Sequence, residues 1–202
     1  MRGTSNRDND KEDTVFKTRL ISTATLLIFS AACSQSSPSS TQGALGTLSV
    51  RPSEIVLPLN FTTHMRGHDE VPARATEAQG QLMLKISDDR QSIEYKLIAG
   101  NIYNVVASHI HQGVVGVGGP AVVFLYGNAA PGGGRHDGVL STGTLTAASL
   151  VGPLAGRPFS ELIDLILSGN AYANVHTNDG VGAANTGPGD FQAGEIRGQL
   201  RK

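Results

Sequence analysis

The chain has 202 residues, 39% of them hydrophobic but only 5% aromatic, with no tryptophan. That length suits one compact domain plus a processing segment and leaves too little sequence for two good cores. A formal charge of −1 and a pI near 6.6 supply no long-range attraction to nucleic acid or to an anionic membrane surface, so polyanion binding is not expected.

Residues 1–32 read as a leader and export signal. Lys17 and Arg19 precede the apolar run Leu20 to Phe29, and Ser30-Ala31-Ala32 follow, the charged, apolar and small-residue order of an export signal. A run of about ten apolar residues is too short to span a bilayer as a helix, which needs about 20. Cys33, the only cysteine, follows at once, where the pattern resembles a lipobox whose cysteine is lipidated on sulfur. Ser30 stands where that pattern prefers Leu, and an ordinary signal peptidase cutting after Ala32 reads the same residues. Lipid anchoring at the cell envelope, simple secretion and an incidental Cys33 are therefore the three readings, and no intramolecular disulfide is available. Residues 33–46, rich in Ser, Gln, Thr and Gly, read as a flexible tether, and 47–202 as the folded domain.

Glycine accounts for 25 residues, about 12% against a usual value of about 7%, and favours a turn-rich β protein. Strand-length segments are expected at Glu54–Thr63, Gly80–Ser87, Ser92–Ala99, Val105–His111, Ala121–Tyr126, Asp137–Leu145, Ala171–Thr177 and Gly194–Arg201. Alternation is clearest for Leu82, Leu84 and Ile86 and for Ile93, Tyr95 and Leu97, with the polar turn Ser87–Gln91 making the pair a hairpin. The run Glu161–Leu167 breaks the β pattern and predicts a short helix, with Ser160 as N-cap and Gly169 closing it; a buried strand over Leu162–Leu167 is the alternative. The expected fold is all-β: an antiparallel, Greek-key-like sandwich or barrel of about eight strands with one short helix.

Three loops are long and glycine-rich, Gln112–Pro120, Gly127–His136 and Asn178–Ala193. They are candidates for adhesion or ligand binding, or simply for tight turns. Two of them follow a His-bearing strand directly and are expected to border the same end of the domain.

Three polar strand-like segments carry the candidate chemistry: His109-Ile110-His111, Tyr172–Thr177 and Gly194–Leu200. With Ile110, Val175 and Ile196 inward, His109 and His111 share the other face, as do Tyr172, Asn174 and His176, and Glu195, Arg197 and Gln199. These segments, together with His68-Asp69-Glu70-Val71-Pro72, Gly80 and Tyr95-Lys96-Leu97, occur in the order found in the CHRD domain, the module named after chordin, which the chain resembles from about Leu57 to Leu200. Ala73 stands where that family usually has a second Pro, and the loops around Ala130–Gly134 and Gly180–Asp190 look longer than typical. The resemblance implies a secreted all-β module. Chordin's neighbouring cysteine-rich modules are missing from this chain, so growth-factor antagonism is not implied.

A His-x-His strand can set two imidazoles on one ion, and a third His completes a copper or zinc site. His109, His111 and His176 are the candidate ligands, with His68 or Glu195 as a less favoured fourth. Tyr172, Asn174, Glu195 and Arg197 form a supporting polar network. A His-x-His strand in a secreted Greek-key sandwich also resembles the style of copper-zinc superoxide dismutase, an analogy without sequence identity. The competing reading is structural: histidines and Tyr172 hydrogen-bonded across the sheet or to loop carbonyls, and Glu195 paired with Arg197 or a neighbour at a solvated surface. His64 and His136 are read as surface residues.

Enzymatic catalysis is not expected. The chain has no Gly-x-Ser-x-Gly elbow, and Ser108 points to the face opposite His109. The sequence therefore reads as a non-enzymatic binding or structural module at the envelope, with a metal-binding or redox protein and an adhesion module as alternatives. Its protein or envelope partner is unidentified.

Overall fold

The computed structural model describes residues 60–201. The leader, Cys33, the tether and residues 54–59 of the first expected strand lie outside the described residues.

Eight strands follow in the order β1 Asn60–Arg66, β2 Gln79–Ile86, β3 Ile93–Tyr103, β4 Val105–Gln112, β5 Ala121–Tyr126, β6 Arg135–Leu145, β7 Ala171–Thr177 and β8 Ile196–Leu200. All neighbours are antiparallel, in the sheet order β5-β4-β7-β8-β1-β2-β3-β6. The sheet curls until its outer strands nearly meet. The Tyr95 and Ser141 hydroxyls both donate to the Leu125 carbonyl, at 2.7 and 2.6 Å, tying β3 and β6 to β5 across the gap. Around this nearly closed barrel β4, β5 and β6 are successive and β3 returns beside β6, a Greek key.

The interior follows the expected alternation. Leu82, Leu84 and Ile86 of β2 face Leu97, Tyr95 and Ile93 of β3 in register, and Ile110, Val175 and Ile196 are fully buried. In the intervening turn Asp89 accepts from the Ser87 hydroxyl and the Gln91 amide. β3 runs four residues past the expected Ala99. A bulge around Gly100 and Asn101, the latter at φ 53°, keeps the ladder going and brings Ile102 back into the core. β6 begins at Arg135, two residues before its expected start.

The helix α1 spans Phe159–Leu167. Its N-cap is Pro158 rather than Ser160, because Phe159 joins Leu162, Ile163 and Ile166 in the buried stripe and draws the first turn inward. At its other end Gly169 adopts φ 72°. The Gly169 amide donates to Ile166 and the Asn170 amide to Leu165, a Schellman close.

Candidate functional site

The site lies on the outer face of β4, β7 and β8. Cross-strand partners Ala107 and His176, His109 and Asn174, and His111 and Tyr172 stand side by side along β4 and β7, and Asn174 then faces Arg197 across to β8. Strand alternation thus places the three histidines together, as Ile110 and Val175 turn into the barrel.

Because β4 and β7 are antiparallel, the loops that follow them leave from opposite ends of the sheet, contrary to the expected common end. Each loop reaches back to the histidines. Gly119, in the loop after β4, accepts a hydrogen bond from His111 Nδ1 at 2.8 Å, and Gln192, in the loop after β7, accepts one from His176 Nδ1 at 2.8 Å. A carbonyl can only accept, so both imidazoles carry their proton on Nδ1 and present an Nε2 lone pair. His109 Nδ1 lies 3.0 Å from His176 Nε2 and donates to it. His111 Nε2 is buried without a partner.

One ligand atom from each of the three residues lies within 4.8 Å of the others. A tetrahedral ion with arms of about 2.0–2.1 Å needs edges of about 3.3 Å. The His109 Nδ1 to His176 Nε2 edge of 3.0 Å is already near that length, while His111 stands within 4.8 Å and would have to draw nearer to an ion. Burial holds the three imidazoles neutral: His109 is pushed down to about 4, chiefly by desolvation and then by His176 and His111, while desolvation also lowers His111 and His176. Neutral rings are what a metal ion requires, and His109 would present Nδ1 to an ion with its proton moved to Nε2.

Aromatic stacking braces the cluster. His111 lies flat on Tyr172 with centroids 4.9 Å apart, and the Arg197 guanidinium covers Tyr172 at 3.4 Å from its centroid. His109 meets Phe124 of β5 edge-on at 4.6 Å. Asn174 is 2% exposed, close to both His111 and Glu70, and its Oδ1 is buried without a partner.

The structure separates other expected site residues from the histidines. Glu195 is fully buried just before β8, where one oxygen accepts from Thr76 at 2.6 Å and the other from Thr177 at 2.6 Å and the Gly189 amide at 2.9 Å. It anchors the loop ahead of β8. Neither it nor Arg197 sits at a solvated surface, and they do not pair: Arg197 donates to the Val114 carbonyl at 3.0 Å and to Gln199. The loop after β4 packs on this part of the sheet, its Gly113 and Val114 carbonyls accepting from Gln199 and Arg197. His68 is exposed and bound to Asp69 at 3.1 Å. His64 is exposed, and His136 is half-buried beside the Gly138 carbonyl.

Glu70 belongs to this neighbourhood although it was not among the residues expected at the site. It is 7% exposed, its Oε1 has no donor, and burial pushes its carboxyl up to about 6 against the opposing pull of Arg197, Asn174 and Arg74. Gly194 makes room for it, since a Cβ there would meet the Glu70 carboxyl. Its place in the His68–Pro72 motif was the one available signal. The Gly119 and Gln192 carbonyls, being backbone groups, left none.

The family model of the CHRD domain matches residues 61–200. No curated protein and no solved structure matches the chain.

Proposed function

This chain belongs to the CHRD-domain family, and on that premise we propose that it is an exported, non-enzymatic module of the cell envelope, anchored by lipid at Cys33, that holds a copper or zinc ion on His109, His111 and His176. The leader and Cys33 support the envelope part of this reading. The metal centre rests on one observation: loop carbonyls orient His111 and His176 so that both Nε2 lone pairs converge beside His109, and one of them is buried without a donor. A buried polar atom without a partner is costly unless something binds it. Three imidazoles leave a fourth position on the ion for an external ligand, and copper there would add redox chemistry.

Support for a non-enzymatic role comes from Ser108. It is fully buried and donates to the Asn174 carbonyl at 2.6 Å on the core side, out of reach of the imidazoles as a nucleophile.

Metal analysis of the untagged full chain after loading and desalting tests the centre. About one equivalent of zinc or copper is expected, falling to background in His109→Asn and His176→Asn. Less than about a tenth of an equivalent in the unaltered protein overturns this reading.

A further inference from the structure

On the neighbouring face of β1 and β8, Arg66 and Arg197 are direct cross-strand partners. Like charges so placed repel and destabilise the pair. Arg201, just beyond β8, joins them in lining one groove of about 600 Å³, closed on one side by Val115 and Gly116 of the loop after β4. Among the described residues none of the three guanidiniums has a carboxylate within 4.0 Å; the ion pairs lie elsewhere.

Two carboxyl groups also line the groove, and neither lies within 4.0 Å of a guanidinium. Asp69 is turned onto His68 at 3.1 Å. Glu70 is shielded from water, with its pKa raised to about 6. Arg197 is 2% exposed and its guanidinium is held in place: stacked on Tyr172, with Nη2 on Val114 and Gln199, and with no hydrogen bond from Nε or Nη1 to a described residue. A rigid fork with free donors and no direct ion pair suits a planar or tetrahedral oxyanion. Beside it the groove wall is polar, with Thr62, His64 and Gln199.

We propose that this groove binds a hydroxylated oxyanion, an acidic sugar or hydroxy acid, whose anionic group bridges Arg66, Arg197 and Arg201 and whose hydroxyls meet Thr62, His64 and Gln199. The groove adjoins the histidine cluster through Tyr172 but shares no histidine ligand with it and needs no metal.

Calorimetric titration of the full chain at about 25 mM salt, where screening is weak, tests it. The probes are glucuronate, glucose 6-sulfate, glucose 6-phosphate and uncharged glucose, which share one hydroxylated skeleton and distinguish carboxylate, sulfate and phosphate as the recognised group. At least one charged sugar is expected to bind with a Kd below about 1 mM and glucose not to bind. The double variant R66Q/R201Q, altered only at exposed positions, should weaken that binding at least about tenfold with an unchanged Tm. The proposal falls if no charged sugar binds at about 20 mM, if glucose binds as well as the charged sugars, or if the folded double variant keeps its affinity within about twofold.

Discussion

His109 Nδ1 donates a hydrogen bond to His176 Nε2 across 3.0 Å, and His176 can accept it because its own proton sits on the Nδ1 committed to the Gln192 carbonyl. The pair is thus a neutral relay, and it sets how the protein responds to acid. In the unfolded chain these imidazoles take up protons below about pH 6.5. In the folded protein His109 resists until about 4, and His111 and His176 are shifted in the same direction. Below about 6.5 the unfolded state therefore binds more protons, and stability present above that pH is lost as the pH falls toward 4. Glu70, raised to about 6, works the other way between about 6 and 4.5, where the folded state keeps a proton that the unfolded chain releases. With three groups against one, the metal-free protein should lose about 1–3 kcal/mol between pH 6.5 and 4. Urea unfolding in chelator checks this; a flat profile contradicts it.

Gly119 couples the loop after β4 to the histidines. A Cβ there would overlap the Gln112 carbonyl oxygen, beside the Gln112 amide to Pro120 carbonyl bond of 3.0 Å. Gly119→Ala should displace the carbonyl that holds His111 and weaken metal affinity about tenfold or more. Gly118→Ala, where nothing lies within 4 Å of the new methyl, is the matched control and should bind as before. Equal affinities in the two variants would show that the Gly119 carbonyl does not position His111.

Glu195 anchors Thr76, Thr177 and the Gly189 amide at once. Glu195→Ala strands three donors and should cost about 3 kcal/mol in urea unfolding. Glu195→Gln retains the shape and part of the bonding. It should still bind a full equivalent of metal, since both carboxylate oxygens are already engaged away from the histidines. Loss of metal in folded Glu195→Gln would instead make Glu195 a ligand.

The membrane anchor depends on a single sulfur. Labelling cells with a fatty-acid analogue should mark the full chain, and Cys33→Ala should abolish the label while the protein is still exported. Unchanged labelling of Cys33→Ala would remove lipid anchoring from the proposed function.

Much of the fold was legible in the sequence because each local rule agreed with the others. The alternation of Leu82, Leu84 and Ile86 against Ile93, Tyr95 and Leu97 specifies a hairpin whatever surrounds it. Gly169 can close α1 because glycine tolerates a positive φ. The helix start shifted to Phe159 for a reason that local propensity does not contain: a phenylalanine beside a core is buried before a serine caps.

The sequence by itself determined that His109 and His111 share a face, and that Tyr172, Asn174 and His176 share one, because strand alternation is a local property of the backbone. Tertiary structure alone decided the register that sets Asn174 opposite both His109 and Arg197, and the antiparallel pairing that brings two loops over the site from opposite ends. It also decided which groups are buried. Glu195 and Arg197 are polar residues two apart, yet loop closure surrounds the first with donors and leaves the second a cation stacked on Tyr172 with no carboxylate within 4.0 Å among the described residues. Burial depends on what packs above a residue, and that is set by chain segments about 80 to 120 positions away, beyond the reach of any local pattern.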